Sequence, residues 1–276
     1  MEFKTISGVT LPVLGAGTWH MGGMKSTDRA NDRQEIAALR KALFLGATHI
    51  DTAELYGNGH AEELVARAIQ GMKREDLFIA TKVKGDNLAS DKLLSAAAGS
   101  LSRLKTDYID LYLLHWPNPS VDREDTMKAL DQLVEEGKVR HVGVSNFSVT
   151  QMREAQSLTK NKILTNQVEY NILNRNEGEF LEDVEKKVLP YCQENDIFLT
   201  AYRPLAQGTL AAHPALSTLA KKYQKTPAQI AIRWLLDKKN VITIPKAARI
   251  EHVKENVGSL GWTLEKEDNH FLDNGL

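Results

Sequence analysis

Residues 48–58 read THIDTAELYGN, and this stretch is the starting point for interpreting the fold. Its apolar, β-like beginning ends in the carboxylate of Asp51, and Tyr56 follows five residues later. A tyrosine held over the end of a strand can act as a general acid only if a neighbour lowers its pKa from about 10. We therefore expect a cation and an orienting group elsewhere in the chain.

Apolar runs of similar length recur on both sides of this stretch and alternate with amphipathic segments. Ile36, Leu39, Leu43 and Phe44, for example, recur at the spacing of one helix face and predict a helix before residue 48. The predicted strands are residues 13–15, 48–50, 77–80, 109–114, 139–144, 163–168, 197–201 and 241–244. Eight strands alternating with helices over about 250 residues indicate an α/β fold, a parallel (β/α)8 TIM barrel.

Two further patterns bear on the architecture. Residues 3–6 and 10–13 flank Ser7-Gly8 and predict an amino-terminal β-hairpin that covers one end of the core. A Rossmann domain would need Gly-x-Gly-x-x-Gly after its first strand, and GAGTWH at residues 15–20 lacks the third glycine. The sequence contains neither a low-complexity segment nor a charge run that suggests a linker. We therefore expect a single domain over residues 1–276.

The composition favours a protein that acts on small molecules. The 276 residues are 42% hydrophobic with a formal net charge of −1, so a large core is possible and a general basic field for nucleic acid or membranes is not. A signal-peptide pattern is not found, and no apolar stretch approaches about 20 residues, so we expect a cytoplasmic protein. Cys192 is the only cysteine and is interpreted as a buried apolar filler. A monomer is expected, and an oligomer stays open.

Two more polar residues follow predicted strands. Lys82 comes after the third apolar run and His115 after the fourth, and in a TIM barrel such strand ends build the active site. Lys82 beside Tyr56 would favour the phenolate and lower the tyrosine pKa, while Asp51 would pair with the buried ammonium. His115 would orient a carbonyl oxygen. A carbonyl held there could receive a hydride and then a proton.

Other interpretations of these residues stay open from the sequence. Asp51 and Lys82 could form a purely structural ion pair, or Lys82 could be a Schiff-base amine of an aldolase, although a paired ammonium argues against that. His60 with Glu62 and Glu63 resembles a metal cluster but lacks a second histidine at helical spacing. We interpret His60 as a solvated helix start and expect no metal.

The segments around the catalytic candidates resemble the aldo-keto reductase family, in its prokaryotic type with a short carboxyl terminus. The resemblance covers nearly the whole chain, through residues 14–19, 46–53, 113–117, 137–147, 166–171 and 244–246. It implies NADPH-dependent reduction of small aldehydes, ketones or dicarbonyls to alcohols, with Tyr56 as general acid and Asp51, Lys82 and His115 as its catalytic partners. An alternative is a catalytically weak cofactor-binding or structural protein on the same barrel.

The resemblance also implies a nicotinamide dinucleotide extended across the barrel mouth, with NADPH favoured and NADH possible. Ser145, Asn146 and Gln167 would hold the carboxamide, and the ring of Tyr202 would stack on the nicotinamide. The other implied cofactor contacts are Gly17, Thr18, Asp51, Arg203, Leu205, Gly208, Ile244, Lys246, Ala247, His252, Glu255 and Asn256. Trp19, His20 and Trp116 would face the substrate.

Three positions depart from the family pattern. Arg203 stands where a serine is common, and its side chain would either reach a phosphate oxygen or point to solvent. Ala247 replaces a serine or threonine, and His252 replaces an arginine near Lys246, the expected partner of a 2′-phosphate. A neutral histidine holds a phosphate less firmly than a guanidinium does, so we expect a weaker preference for NADPH than is usual. A short segment at residues 118–123 and a short carboxyl terminus suggest an open pocket with broad specificity.

Overall fold

In a computed structural model, which describes residues 1–175 and 182–274, the chain begins with an antiparallel β-hairpin. Strand β1 (Phe3–Ile6) pairs with β2 (Val9–Pro12). The two residues between them, Ser7 and Gly8, have φ angles of 49° and 78°. A two-residue turn with positive φ at both positions matches the twist of the flanking strands. The predicted hairpin is confirmed.

Eight parallel strands follow and form one sheet. Within the described ranges they are β3 (Ala16–Gly17), β4 (His49–Asp51), β5 (Phe78–Val83), β6 (Ile109–Leu114), β7 (Val139–Ser145), β8 (Ile163–Glu169), β9 (Phe198–Tyr202) and β10 (Val241–Thr243). Neighbours in sequence are neighbours in the sheet, in the order β3 to β10. The eight predicted strands are confirmed, although the first lies at residues 16–17 rather than 13–15.

The two ends of this sheet meet and close the barrel. Leu14 bridges Thr243 and Gly17 bridges Lys246, both in parallel orientation. The Gly15 amide also donates to the Thr243 carbonyl oxygen at 2.8 Å, and the Thr243 amide donates to the Val13 carbonyl oxygen at 3.0 Å. The predicted (β/α)8 barrel is therefore confirmed, and its carboxyl-terminal rim is where a site is expected.

Helices alternate with the barrel strands and cover the outside of the sheet. In the described part of the chain they are α1 (Asp32–Phe44), α2 (His60–Ile69), α3 (Ser90–Leu104), α4 (Arg123–Glu135), α5 (Val149–Ser157), α6 (Leu189–Glu194), α7 (Pro214–Tyr223), α8 (Pro227–Leu236), α9 (Ile250–Val257) and α10 (Lys266–Asn274). Helix α8 begins with a capping box between Thr226 and Gln229 and has Pro227 in its first turn, which fixes its start. None of these described helices has the length and hydropathy that a membrane crossing needs.

The helix predicted before residue 48 is confirmed as α1, in which Leu39 and Leu43 are buried, while Phe44, its last residue, is 80% exposed with Lys41 over its ring. One prediction about the helices needs correction. His60, predicted to be a solvated helix start, begins α2 but is buried. Its ring nitrogens lie 2.8 Å from an Asp32 oxygen and 2.7 Å from a Glu63 oxygen, so the imidazole is held between two carboxylates.

The core has an outer and an inner layer. The outer layer lies between sheet and helices and includes the buried Cys192, which confirms its interpretation as an apolar filler. The inner layer fills the barrel and extends into the hairpin through Ile6 and Leu11. Its other buried members are Ala80, Leu111, Leu113, Leu164, Phe198 and Ile242. The hairpin therefore covers the amino-terminal end of the barrel, as predicted, and the opposite end is left to bind ligands.

Candidate active site

The structure brings the four catalytic candidates together at the carboxyl-terminal rim. The Lys82 ammonium donates to Asp51 Oδ2 at 2.7 Å, to the Thr52 carbonyl oxygen at 2.8 Å and to the Tyr56 hydroxyl at 3.3 Å. Lys82 is completely buried. The register of the strands explains the contact, since Asp51 pairs with Ala80 and Lys82 lies two residues further on the same face of β5. Each ammonium proton thus has an acceptor.

Asp51 is held from two sides. While Oδ2 accepts from Lys82, Oδ1 accepts from Gln167 Nε2 at 2.7 Å. The ion pair is buried, with side-chain exposures of 0% for Lys82 and 3% for Asp51. Burial lowers the pKa of Lys82, and the carboxylate of Asp51 opposes that shift by favouring the ammonium. The predicted contact between Asp51 and Lys82 is therefore present, and Asp51 is the group that most opposes the loss of the ammonium charge.

Tyr56 has a different electrostatic environment from the one expected. Burial raises the pKa of Tyr56 well above 10, and the carboxylate of Asp51 raises it further. The expected lowering of this pKa is therefore not found, because desolvation of the phenolate dominates, and the cation that opposes the rise is Arg203 rather than Lys82. The phenol is consequently neutral at physiological pH. Its ring packs edge-on against Trp19, with centroids 4.9 Å apart.

His115 faces Tyr56 across the site, with ring centroids 5.6 Å apart. Burial and the nearby Lys82 cation lower the pKa of His115 to about 3, so the imidazole is neutral. Its Nδ1 is buried and has no hydrogen-bond partner among the described residues. An unpaired acceptor in that position costs less than an unpaired N–H donor, so the proton is favoured on Nε2.

A cavity of about 570 Å³ opens beside these residues. It is lined by Tyr56, His115 and the three residues predicted to face a substrate, Trp19, His20 and Trp116. The predicted cofactor residues that also line it are Gly17, Asp51, Ser145, Asn146, Gln167, Tyr202, Arg203, Leu205, Gly208, Ile244 and Lys246. The structure thus gathers most of the predicted site around one cavity.

Five predicted cofactor residues do not line this cavity. Thr18 is buried, and its hydroxyl donates to the Asp51 carbonyl oxygen at 3.0 Å, so it helps to fix the backbone at Asp51. Ala247 and Asn256 line a small adjoining cavity of about 20 Å³. His252 and Glu255 contact each other on α9, with Nδ1 and Oε2 3.4 Å apart.

The residues predicted to hold a carboxamide form a connected polar network. Ser145 donates from its hydroxyl to the Gln167 carbonyl oxygen at 2.8 Å. Asn146 donates from Nδ2 to Ser145 Oγ at 3.0 Å and to the His115 carbonyl oxygen at 3.1 Å. The Tyr202 hydroxyl donates to Asn146 Oδ1 at 3.0 Å, which ties the ring of Tyr202 to the network. These bonds fix the side chains before a ligand binds.

Arg203 has a partner that the sequence analysis did not identify. Its Nη1 donates to Glu169 Oε2 at 2.9 Å, and both residues line the cavity. The guanidinium therefore does not simply point to solvent, and whether it reaches a phosphate stays a prediction. Glu169 is the last residue of β8, so the rule that found Lys82 and His115, a polar residue at a strand end, could also have found it.

Two further residues near the site were missed. Arg249 precedes α9, and its guanidinium contacts the ring of His252. The spacing of three residues between Arg249 and His252 could have predicted this contact, because side chains three positions apart lie close together on a helix. Leu55 lines the cavity and is 38% exposed. It adds an apolar surface to the wall formed by Trp19 and Trp116.

The donors around the cavity fit a nicotinamide dinucleotide. Neutral amide and hydroxyl groups suited to a carboxamide lie on Ser145, Asn146 and Gln167, and an aromatic ring lies beside them on Tyr202. Two permanently charged side chains suited to phosphates, Arg203 and Lys246, line the same cavity. A ligand that carries both an amide and phosphates would meet complementary groups in this cavity.

Comparisons with known proteins identify the family of the chain. The model of the Aldo/keto reductase family matches residues 13–274. The chain is 38% identical over 271 residues to methylglyoxal reductase YeaE of Escherichia coli (strain K12), covering 96% of this chain and 91% of that protein.

Solved structures are also similar. The thermostable aldo-keto reductase Tm1743, crystallised with the inhibitor epalrestat, has a TM-score of 0.94 and 42% identity over 99% of both chains. An aldo-keto reductase from Klebsiella pneumoniae in complex with NADPH has a TM-score of 0.89 and 37% identity, covering 99% of this chain and 95% of that one.

Proposed function

Because the chain belongs to the aldo/keto reductase family, we propose that it reduces small aldehydes, ketones or dicarbonyls to alcohols with NADPH as the hydride donor. The similarity to a methylglyoxal reductase supports a dicarbonyl among its substrates, and the similarity to a structure in complex with NADPH supports the cofactor. The single observation that carries the proposal is the buried chain of contacts from Asp51 through Lys82 to Tyr56 at the wall of the cavity. The predicted cytoplasmic location and monomeric state stay predictions.

Tyr56 is the general acid in this proposal. The bound dinucleotide supplies the hydride that reduces the carbonyl carbon. Tyr56 then gives its phenolic proton to the carbonyl oxygen. The raised pKa of Tyr56 keeps this proton in place until it is needed. Transfer still occurs because an alkoxide is a stronger base than a phenolate.

Lys82 and His115 assist from opposite sides. The Lys82 ammonium, 3.3 Å from the Tyr56 hydroxyl, stabilises the phenolate that remains after proton transfer. The neutral imidazole of His115, with its proton on Nε2, donates a hydrogen bond to the substrate oxygen and orients it. Asp51 holds Lys82 in its charged form. The same contacts argue against the aldolase alternative, because a protonated amine with three acceptors is not a nucleophile.

Replacing Tyr56 with phenylalanine tests this assignment. We expect the Tyr56→Phe variant to lose about 10²- to 10⁴-fold in kcat, the size typical of a lost general acid, while the Kd for NADPH stays unchanged. Turnover is followed by the oxidation of NADPH with aldehydes, ketones and dicarbonyls, and binding by quenching of tryptophan fluorescence. Full turnover by the variant would refute the acid role. A wild-type protein that binds NADPH but oxidises it with none of the carbonyls would instead support a catalytically weak binding protein.

A further inference from the structure

The ion pair between Arg203 and Glu169 joins the ends of two neighbouring strands at the cavity wall. Glu169 ends β8, and Arg203 directly follows β9, whose last residue, Tyr202, pairs with Glu169. The contact is a single one, from Nη1 to Oε2 at 2.9 Å, with side-chain exposures of 35% and 20%. The other guanidinium nitrogens of Arg203 make no hydrogen bond to a described residue. Most donors of this fork are therefore open to a ligand.

The carboxylate of Glu169 on the cavity wall should repel an anionic ligand. Among the described residues, Asp51 and Glu169 are the carboxylates that line the cavity. Asp51 is occupied by both Lys82 and Gln167, whereas Arg203 is the ion-pair partner of Glu169. A phosphate that binds Arg203 while Glu169 stays in contact would bring two like charges together around one guanidinium. Contact with Glu169 should therefore oppose the binding of a phosphate to Arg203.

The backbone around Arg203 is held firmly while its side chain is not. The Arg203 carbonyl oxygen accepts from Asn171 Nδ2 at 3.1 Å and from the Ala206 amide at 2.9 Å. Arg203, Ala206 and Gln207 have φ angles of 49°, 45° and 56°, a left-handed conformation that non-glycine residues adopt only where surrounding contacts enforce it. Reorientation of the guanidinium requires no change in this backbone, only the loss of its contact to Glu169 and a change in its position over the Tyr202 ring, whose centroid is 5.9 Å away.

We propose that Glu169 competes with a phosphate of the bound dinucleotide for Arg203, and that Glu169 thereby weakens cofactor binding and speeds cofactor release. This inference rests on the proposed function, since it needs a dinucleotide in the cavity. A guanidinium binds a phosphate through two parallel N–H donors, which gives the exchange its driving force. When the cofactor dissociates, the ion pair between Glu169 and Arg203 forms again. The Arg203–Glu169 pair would therefore affect the affinity for NADPH and for NADH equally, because both contain the pyrophosphate.

The Glu169→Gln variant tests the competition. A glutamine keeps the shape of the side chain but removes its charge, so Arg203 is released for the phosphate. We expect the Kd for NADPH to fall about threefold, the size that an exposed ion pair of this kind carries, and the dissociation rate to fall with it. The Kd for NADH should fall by the same factor. Arg203→Gln should change both constants in the opposite direction.

The measurements are fluorescence titration and stopped-flow dissociation at one ionic strength, with Glu265→Gln as the matched control. Glu265 is also in an ion pair, with Lys222 at 2.6 Å, but does not line the cavity, so its neutralisation should leave both Kd values unchanged. A crystal structure of the wild-type complex with NADPH should place Arg203 Nη1 farther than about 4 Å from Glu169, beyond ion-pair distance.

Two outcomes would overturn the competition. One is an unchanged or raised Kd for both dinucleotides in Glu169→Gln, and the other is a complex in which Arg203 still contacts Glu169. Both are distinguishable from failure of the proposed function, because there the wild-type protein would bind NADPH without oxidising it in the presence of any carbonyl. Thermal unfolding of Glu169→Gln checks that the variant is folded, and a variant that does not fold leaves the crystal structure of the wild-type complex to decide.

Discussion

His115 shows how a single buried residue sets the pH dependence of this site. Its pKa of about 3 lies below the ordinary histidine value of about 6.5, because burial and the Lys82 cation both disfavour the imidazolium. The neutral form is thus fully populated above the lowered pKa and is lost only as the pH falls towards 3. We expect kcat/KM for carbonyl reduction to show no titration of His115 between about pH 5 and about pH 8. An acidic decline near pH 6.5 that disappears in His115→Asn would contradict this.

Lys246 is the residue predicted to select between the two dinucleotides. It is exposed and lines the cavity, and it lies three residues before Arg249, whose guanidinium contacts His252. If Lys246 binds the 2′-phosphate, Lys246→Ala should raise the KM for NADPH about tenfold and leave that for NADH nearly unchanged, because only NADPH carries the group.

Steady-state kinetics with both dinucleotides measure this effect. Lys254→Ala, which removes an exposed lysine of α9 that does not line the cavity, is the control and should change neither KM. Equal changes for NADPH and NADH in Lys246→Ala would show that the lysine binds a part of the cofactor common to both.

Residues at strand ends were the most predictable part of the site. Asp51, Lys82 and His115 each follow an apolar run, and the topology of a barrel brings such positions to one rim. The raised pKa of Tyr56 was not predictable, because it depends on how completely the phenol is desolvated. The contact of Arg203 with Glu169 also depends on side-chain geometry, although the strand-end position of Glu169 was visible in the sequence.

At the level of elements, the amino-terminal hairpin does more than cover the barrel. The Lys4 ammonium on β1 donates to the carbonyl oxygens of Leu236, Lys238 and Val241, at 2.8, 2.7 and 2.7 Å. These carbonyls lie at and beyond the end of α8, where helical partners are lacking. Turn chemistry at Ser7-Gly8 predicts the hairpin, but no local signal predicts a cap across more than 230 residues of chain.

Leu11 on β2 allows the packing of the hairpin to be tested. It is 1% exposed and belongs to the inner core layer, so Leu11→Ala should lower the free energy of unfolding by about 2 to 5 kcal/mol through lost burial and a residual cavity. Chemical denaturation measures the change. Phe3→Ala in the same hairpin is the control, because Phe3 is 57% exposed and should cost much less. Equal losses would mean that the hairpin does not pack on the barrel as described.

The first barrel strand illustrates why element boundaries were harder to predict than elements. Residues 13–15 read as an apolar run, yet Val13 and Leu14 are buried against Ile232 and Leu236 of α8, and the paired strand begins at Ala16. An apolar run reports burial but does not distinguish a helix from a strand as the covering partner. The other strands were predicted within three residues of their observed bounds.

At the level of the whole molecule, hydrogen bonding around the barrel is uneven. Strand β6 pairs with β7 through five residue pairs, whereas β3 has two residues, and the segments of β3 and β10 are joined by the isolated bridges Leu14–Thr243 and Gly17–Lys246. We expect amides of β3 and β10 to exchange with deuterium faster than those of β6 and β7, since local opening needs fewer bonds to break there. Hydrogen exchange read by mass spectrometry measures this. Uniform protection around the ring would contradict it.

The barrel closes where the segments of β3 and β10 meet, and Lys246 takes part in this closure through its bridge to Gly17. A ligand that binds Lys246 and also contacts the opposite wall of the cavity would stabilise this closure. Cofactor binding should then reduce local opening of the whole barrel, including strands that the cofactor does not contact.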